Sequence, residues 1–434
     1  MDNMVKVIIK RGLVAPDCHW WDESDKLPDK SGIKTFNKLL KLHNNKPFIP
    51  LRMLNVDGYL VTDIKFIEKI LKNSPHIFGF GKLKYDFFKS FMKYNVGVSN
   101  CPRNKDPPTK NTPPTKLGDN IQMCPWSRRR EVNDKVLYFD RKHAYGDLYD
   151  KQIGEIVNNI SPTLRLGKIK FNDFVKISKK VATKIVFGED KIADPIFDFL
   201  SAANSTKPFE SGGLHISKEL KTKYINYMKK YVRNPIEGSL VWLAVKKFNG
   251  LEILSEEELI HQIPHWVFPI AGGINSAFIR LLILLSNHPN KYKKAKSDKN
   301  YLRKCILETF RLNNNVVSLF RTLVSDFSFN SQWKFKKGTQ FLILTNPILR
   351  SPQYYDDADK FMPERFSKKM ERKYPPAISF SRGPQQCPGK ELAIFVIQSF
   401  FKHFIKKYKN VTASNKVNKD NISHAINPCK IVIK

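Results

Sequence analysis

The sequence predicts a mostly α-helical protein with a minor β region, folded as a single large domain. Three observations support this. Apolar residues recur at helical spacing in one segment after another, and β-branched and aromatic residues gather into strand-like runs in only two places. The third is size: 434 residues with 41% hydrophobic and 12% aromatic content bury a sizeable core, and large α-rich chains fill that length as one unit.

The elements follow in order. MDNMVKVIIKRGLVAPDC opens the chain with an apolar run broken by Lys6 and Lys10, too short for a signal-peptide core or a span. Residues 1–50 are therefore expected to form an N-terminal segment without a transmembrane anchor, with the folded domain at 51–434. Leu51 to Phe80 reads as a short strand, then Thr62 or Asp63 as N-cap, then a helix with Ile64, Ile67, Ile70 and Leu71 on one face. Within the domain, residues 101–118 carry a doubled PPTK; each proline lacks a backbone donor, so a long surface loop is expected. Helices are expected at 126–138, 147–160, 172–187, 191–202 and 215–247.

Ser255 and Glu258 form a capping box that opens a helix reaching to about Ser286. Pro264, Pro269 and the pair Gly272-Gly273 lie inside it, each costing roughly 1 to 3 kcal/mol there. A helix weakened at one place and then resumed predicts a local opening with a ligand close to the backbone, lined by Asn275 and Ser276; a proline-broken pair of core helices is the plainer alternative. Another helix starts near Asp298, a small sheet with a turn at Lys337-Gly338 lies between 316 and 350, and a last helix covers Leu392 to Tyr408.

The formal charge of +35 invites a nucleic-acid reading. The lysines are scattered over the whole length, however, and no zinc-finger or RNA-motif spacing accompanies them, so nucleic acid is set aside in favour of acidic protein partners or anionic lipid. Six isolated cysteines, with no C-x-x-C pair, suggest free thiols in a reducing compartment. Ile263 to Ser286 is the only other candidate span, but it contains two prolines, His265, Asn275 and Arg280, and a central arginine alone costs roughly 2.5 to 3.5 kcal/mol on insertion. A buried helix in a soluble, cytoplasmic and monomeric protein is expected, with peripheral membrane contact left open.

Four constellations carry chemistry. Cys387, in FSRGPQQCPG, sits between a Gly-Pro turn and the first turn of an apolar helix, where backbone N–H groups and the helix dipole favour thiolate over thiol. Such a thiolate can ligate a metal; taken alone, the same cysteine reads first as a buried structural thiol. Glu308 and Arg311, in ETFR, share a helix face, and FMPERF offers Arg365 as a third member of a charge triad. Trp126 and Arg130, in WSRRR, lie one turn apart, so that the arginine can hold a carboxylate beside the indole, or join Arg128 and Arg129 in a surface basic cluster. The fourth is the opened helix with Gly272, Gly273, Asn275 and Ser276.

In this order these pieces resemble the cytochrome P450 family of haem-thiolate enzymes. W-x-x-x-R is met by Trp126 and Arg130 and E-x-x-R by Glu308 and Arg311, and the central-helix pattern corresponds to Gly272 to Ser276. The PERF box is met by Pro363 to Phe366, and the cysteine pattern by Phe380, Gly383, Cys387 and Gly389. The resemblance implies haem b between the central long helix and the cysteine-loop helix, with Cys387 as axial iron ligand. It implies propionate partners at Trp126, Arg130 and Arg321, shielding of the sulfur by Phe380, and a structural lock of Glu308, Arg311 and Arg365. It further implies a monooxygenase that places one oxygen atom in an apolar substrate, with electrons from a separate reductase or ferredoxin docked near Lys390, Lys402 and Lys406.

Two departures bear on the chemistry. Gln385 stands where the family has a cationic propionate partner, and Asn275-Ser276 replaces an acid-alcohol pair thought to relay protons. A hydroperoxide isomerase or peroxygenase, or a catalytically weak haem- or lipid-binding protein of the same fold, are the alternatives.

Overall fold

The computed structural model describes residues 33–53, 56–99, 125–159, 169–205, 216–316, 318–367 and 376–408, with short pieces at 369–370, 412, 419 and 432–433. The expected loop at 101–118 lies outside the described residues. Helix α1 (Ile33–Leu42) lays Phe36 and Leu39 against a hairpin of β1 (Phe48–Met53) and β2 (Val56–Val61), whose register pairs Phe48 with Val61. The expected domain start at 51 therefore falls inside a strand, and α1 joins the same apolar cluster as Ile49, Leu51, Leu60 and Leu342.

The sheet is completed by β3 (Phe78–Phe80), β4 (Ser318–Leu323) and β5 (Gln340–Leu344), in the spatial order β1-β2-β5-β4-β3. β5 runs parallel to β2, and β4 is antiparallel to both β5 and β3, so Arg321 lies opposite Phe341 on one side and Phe80 on the other. Rings of Phe48, Phe78, Phe329, Phe335 and Phe341 fill the space against the sheet.

Polar caps set the helix starts. Asp63 accepts from the Lys65 N–H at 2.7 Å and opens α2 (Ile64–Lys72), which buries Ile67, Ile70 and Leu71. Then follow α3 (Lys82–Met92), α4 (Pro125–Val136), α5 (Gly146–Asn158), α6 (Phe171–Phe187), α7 (Asp194–Ser205) and α8 (Lys218–Arg233). The single helix expected at 215–247 is broken. α8 ends before Asn234-Pro235, where proline lacks a donor and disfavours helical backbone in its neighbour, and Gly238 takes φ +80. Ser239 then caps a fresh short helix through Trp242.

The capping box forms in both directions, Glu258 N–H to Ser255 at 3.2 Å and Ser255 N–H to Glu258 at 3.1 Å. The helix it opens is segmented: α9 (Glu256–Ile260), α10 (Pro264–Phe268), a widened π-type turn at Pro269–Ile274, and α11 (Asn275–Ser286). Glu256–Ser286 is long and apolar enough to cross a membrane, but 72% of its apolar window is buried inside the protein. Phe278 stacks on Phe400, centroids 5.5 Å apart, so α11 is a core element. α12 (Pro289–Ser297), α13 (Lys299–Leu312, capped by Asp298) and α14 (Lys390–Lys407) complete the helical layer.

Two buried histidines give this core a pH dependence. Burial pushes both His143 and His261 from an ordinary 6.5 down to about 4. Both are neutral in the folded protein but protonate near 6.5 when unfolded, so the stability they confer is full above pH 6.5 and is lost as pH falls toward 4. Each contributes about 3 kcal/mol at 1.36 kcal/mol per pH unit. Urea melts between pH 4 and 7 check this: the slope of stability against pH should flatten in a His143→Gln/His261→Gln variant.

Candidate active site

The cysteine loop is held from three sides. The Cys387 N–H donates to the Phe380 carbonyl at 2.8 Å, and the Phe380 ring meets Phe310 of α13 edge-on at 4.8 Å. Gly383 takes φ +70, and a Cβ there would sit 2.3 Å from the Leu71 carbonyl at the end of α2, so only glycine lets the loop approach that helix. Arg130 of α4 donates from Nη1 to the Gln386 carbonyl at 2.5 Å while its Nε lies 2.8 Å from Asp134.

Cys387 is half-buried at the mouth of this loop, just before α14. Burial pushes its thiol up, against the Gly389 backbone N–H and the charges of Arg130 and Lys390, which pull it down. The other described cysteine, Cys305, is fully buried within α13, where burial drives its thiol far above the ordinary range. Arg130 and Lys390 favour a negative sulfur at Cys387, whereas at Cys305 Glu364 and Glu308 stand against one beside Lys291.

The widened turn Pro269–Ile274 packs against α14, which brings the central helix to the cysteine-loop helix. Gly272, Asn275 and Ser276 stand at i, i+3 and i+4 and so share a face. A Cβ on Gly272 would meet no described atom within 4 Å, while Asn275 and Ser276 are buried and the Asn275 Nδ2 has no hydrogen-bond partner among the described residues. Gln385, 9% exposed, has neither amide atom partnered among the described residues. Open space at Gly272 and these orphaned amides fit a bound group lying between the loop and the turn.

The expected rim residues are reached differently. The Trp126 indole donates to the Val96 carbonyl at 3.0 Å, so its N–H is engaged with the protein. Arg321, 3% exposed, bonds Ser74 at 3.0 Å and its neighbour's carbonyl at 2.8 Å, beside the stretch of α2 that Gly383 contacts. Glu308, Arg311 and Arg365 come together: Glu308 takes Arg311 at 2.7 and 2.9 Å and Arg365 at 3.1 Å. Of the three lysines expected on the proximal surface, Lys390 has a side chain only 13% exposed and lies beside Glu391, whereas Lys402, though paired with Asp150, and Lys406 remain exposed.

A surface basic cluster was one of two readings of the sequence around Arg129. Arg129 is buried and pairs with Glu258 at 2.9 Å, tying α4 to the capping box. The sequence reading also missed Asn315, which reaches Gly273; the signal was an arginine, Arg280, seven residues past Gly273 on the same face of the helix and within its apolar run.

A family model for cytochrome P450 matches residues 288–432, the stretch holding Glu308, Arg365 and the cysteine loop. The C-terminal third of the chain is thus similar to the cytochrome P450 family. The mouse cytochrome P450 3A25 is 25% identical over 253 residues, covering 52% of this chain and 50% of that protein. A beta-amyrin 28-monooxygenase from Saponaria officinalis is 36% identical over 107 residues, 24% of this chain and 20% of that one. The alignment with a taxane 13-alpha-hydroxylase from Taxus cuspidata likewise spans 37% of each protein, at 24% identity. The matches thus span a fifth to a half of these relatives' lengths.

Solved P450 structures share the fold over nearly the whole chain. That of CYP102L1 has a TM-score of 0.69 at 14% identity, covering 93% of this chain and 98% of that one. That of P450BioI, in complex with a hexadec-9Z-enoic acid ligated acyl carrier protein, has 0.67 at 15%, covering 90% and 95%. The mostly helical single-domain architecture expected from sequence is therefore the P450 fold, and the likeness to the family over residues 288–432 implies haem with an axial cysteine thiolate.

Proposed function

We propose that this protein is a haem-thiolate monooxygenase that inserts one oxygen atom from O2 into an apolar substrate, in a cytoplasmic setting. The observation that carries the reading is the pairing of a half-buried Cys387, surrounded by Gly389 N–H, Arg130 and Lys390, with a helix opened at Pro269–Ile274. Haem b, when bound through a thiolate, supplies the electron-rich iron that favours O–O cleavage.

The chain's own residues divide the remaining tasks. Cys387 would hold the iron, and Arg130, Arg321 and Gln385 would face the propionates, with Trp126 packing beside Arg130. Gly272 and Gly273 leave backbone room above the group, and Asn275 and Ser276 supply hydrogen-bond donors on the same face. Phe380 covers the sulfur side. Electrons come from a separate reductase or ferredoxin, an acidic partner for the exposed Lys402 and Lys406.

The test is the spectrum of the reduced protein under carbon monoxide. A Soret band at the long-wavelength thiolate position is expected, followed by turnover with O2 and a donor protein that falls steeply as salt is raised. A missing thiolate band removes this reading and leaves a haem- or lipid-binding protein of the same fold.

Asn275 favours a second reading. Its unpartnered amide donates hydrogen bonds but cannot release and recover a proton as a carboxylate does, which suits rearrangement of a ready-made hydroperoxide. Turnover of a lipid hydroperoxide without reductant, with none from O2, would select an isomerase or peroxygenase.

A further inference from the structure

We propose that Asn315, oriented by Arg280, is a positioning residue that clamps the widened turn of the central helix open. It rests on the reading above only in assigning that turn to the reaction. Asn315 Nδ2 donates to the Gly273 carbonyl at 2.6 Å, and Asn315 Oδ1 accepts from Arg280 Nη1 at 2.8 Å. The strut runs from two buried side chains, Asn315 at 8% and Arg280 at 3% exposed, to the half-buried Gly273.

The chemistry fixes the amide's orientation. A guanidinium only donates and a carbonyl only accepts, so Oδ1 must face Arg280 and Nδ2 must face Gly273. A cation on Oδ1 also polarises the amide and strengthens the bond its Nδ2 makes.

The helix geometry explains the need. In a widened turn the carbonyls are displaced from their usual i+4 donors, and a buried carbonyl left without a donor is costly. Gly273 and Arg280 stand at i and i+7 on one side of the helix, and a Cβ on Gly273 would already touch Asn315 Nδ2 at 3.5 Å. Ser276, at i+3 from Gly273 and four residues before Arg280, lies along the same strip of helix, and the open space lies at the adjacent Gly272. The clamp therefore ties the turn to the helix that follows it and holds the adjoining Asn275 and Ser276 at one position.

Asn315→Asp separates this role from a merely structural one. It keeps an acceptor for Arg280, now with opposite charge, but removes the donor to Gly273. In the haem-loaded protein, Asn315→Asp and Asn315→Ala should both retain the carbon monoxide Soret position of wild type. Both should accelerate amide hydrogen exchange in the peptide covering 269–278 by about tenfold. Both should also broaden or split the C–O stretch of the carbon monoxide complex, because the nearby donors lose their single position.

Wild-type exchange and a wild-type C–O stretch in Asn315→Asp, with changes only in Asn315→Ala, would make Asn315 simply the partner of Arg280 and overturn the proposal. So would wild-type behaviour in both. Should the wild-type protein lack the thiolate band, the haem reading fails while the exchange arm still judges the clamp.

Discussion

Replacing Cys387 with serine should abolish the thiolate-type carbon monoxide band and bring turnover below about 1% of wild type, a barrier increase of roughly 2.7 kcal/mol or more. The loop around Cys387 explains the size of the effect. Its thiol is held up by burial and pulled down by the Gly389 N–H, Arg130 and Lys390, so the site stabilises a negative sulfur once a metal takes the proton's place. A serine hydroxyl in the same loop meets the same donors but is far harder to ionise. Cys305→Ala is the control, because that thiol is fully buried in α13 and should leave the band in place. A thiolate band that survives in Cys387→Ser and disappears in Cys305→Ala would reverse the assignment.

The loop was legible in the sequence because its constraints are local. A glycine needed at positive φ, a cysteine and a helix start fall within eight residues, and each leaves a residue-type signature. The same holds for Asp63, Asp298 and the Ser255-Glu258 box, whose side chains act within one turn. The opened helix was legible for the same reason, since Pro269 and Gly272-Gly273 penalise a regular helix wherever it packs.

Long-range partners left no such mark. Arg280 read only as an argument against a membrane span, because its contact is 35 residues away on a loop with no periodicity. Arg129 and Arg130 are adjacent in WSRRR, yet one pairs with Glu258 and the other with the Gln386 carbonyl, a choice made by which elements α4 packs against. The Trp126 indole was expected beside a carboxylate and is engaged by Val96, a contact set by the chain crossing behind α4. The break at Asn234-Pro235 is different: its signal is local, but the apolar periodicity on either side concealed it.

Glu308→Ala should be the most destabilising single change away from the cysteine loop. Glu308 is fully buried, and its two oxygens accept from Arg311 Nε and Nη2, Arg365 Nε and the Met362 N–H, at 2.7 to 3.1 Å. Arg311 also donates from Nη1 to the Leu349 and Ala358 carbonyls, both at 2.8 Å. One carboxylate thus ties α13 to the chain leading into the PERF segment. Removing it leaves the fully buried guanidinium of Arg311 without its counter-charge, which costs about 3 to 5 kcal/mol. In the wild-type protein burial opposes the charge of Arg311 and Glu308 outweighs it, so Glu308→Ala removes the main group that offsets burial there. The thermal midpoint should fall by about 3 to 6 °C, with Arg365→Ala milder because its side chain is 11% exposed and makes one bond to the carboxylate. Glu308→Gln/Arg311→Met should recover part of the loss, since removing both charges avoids the unpaired one. A midpoint for Glu308→Ala within a degree of wild type would show that the triad does not hold these segments together.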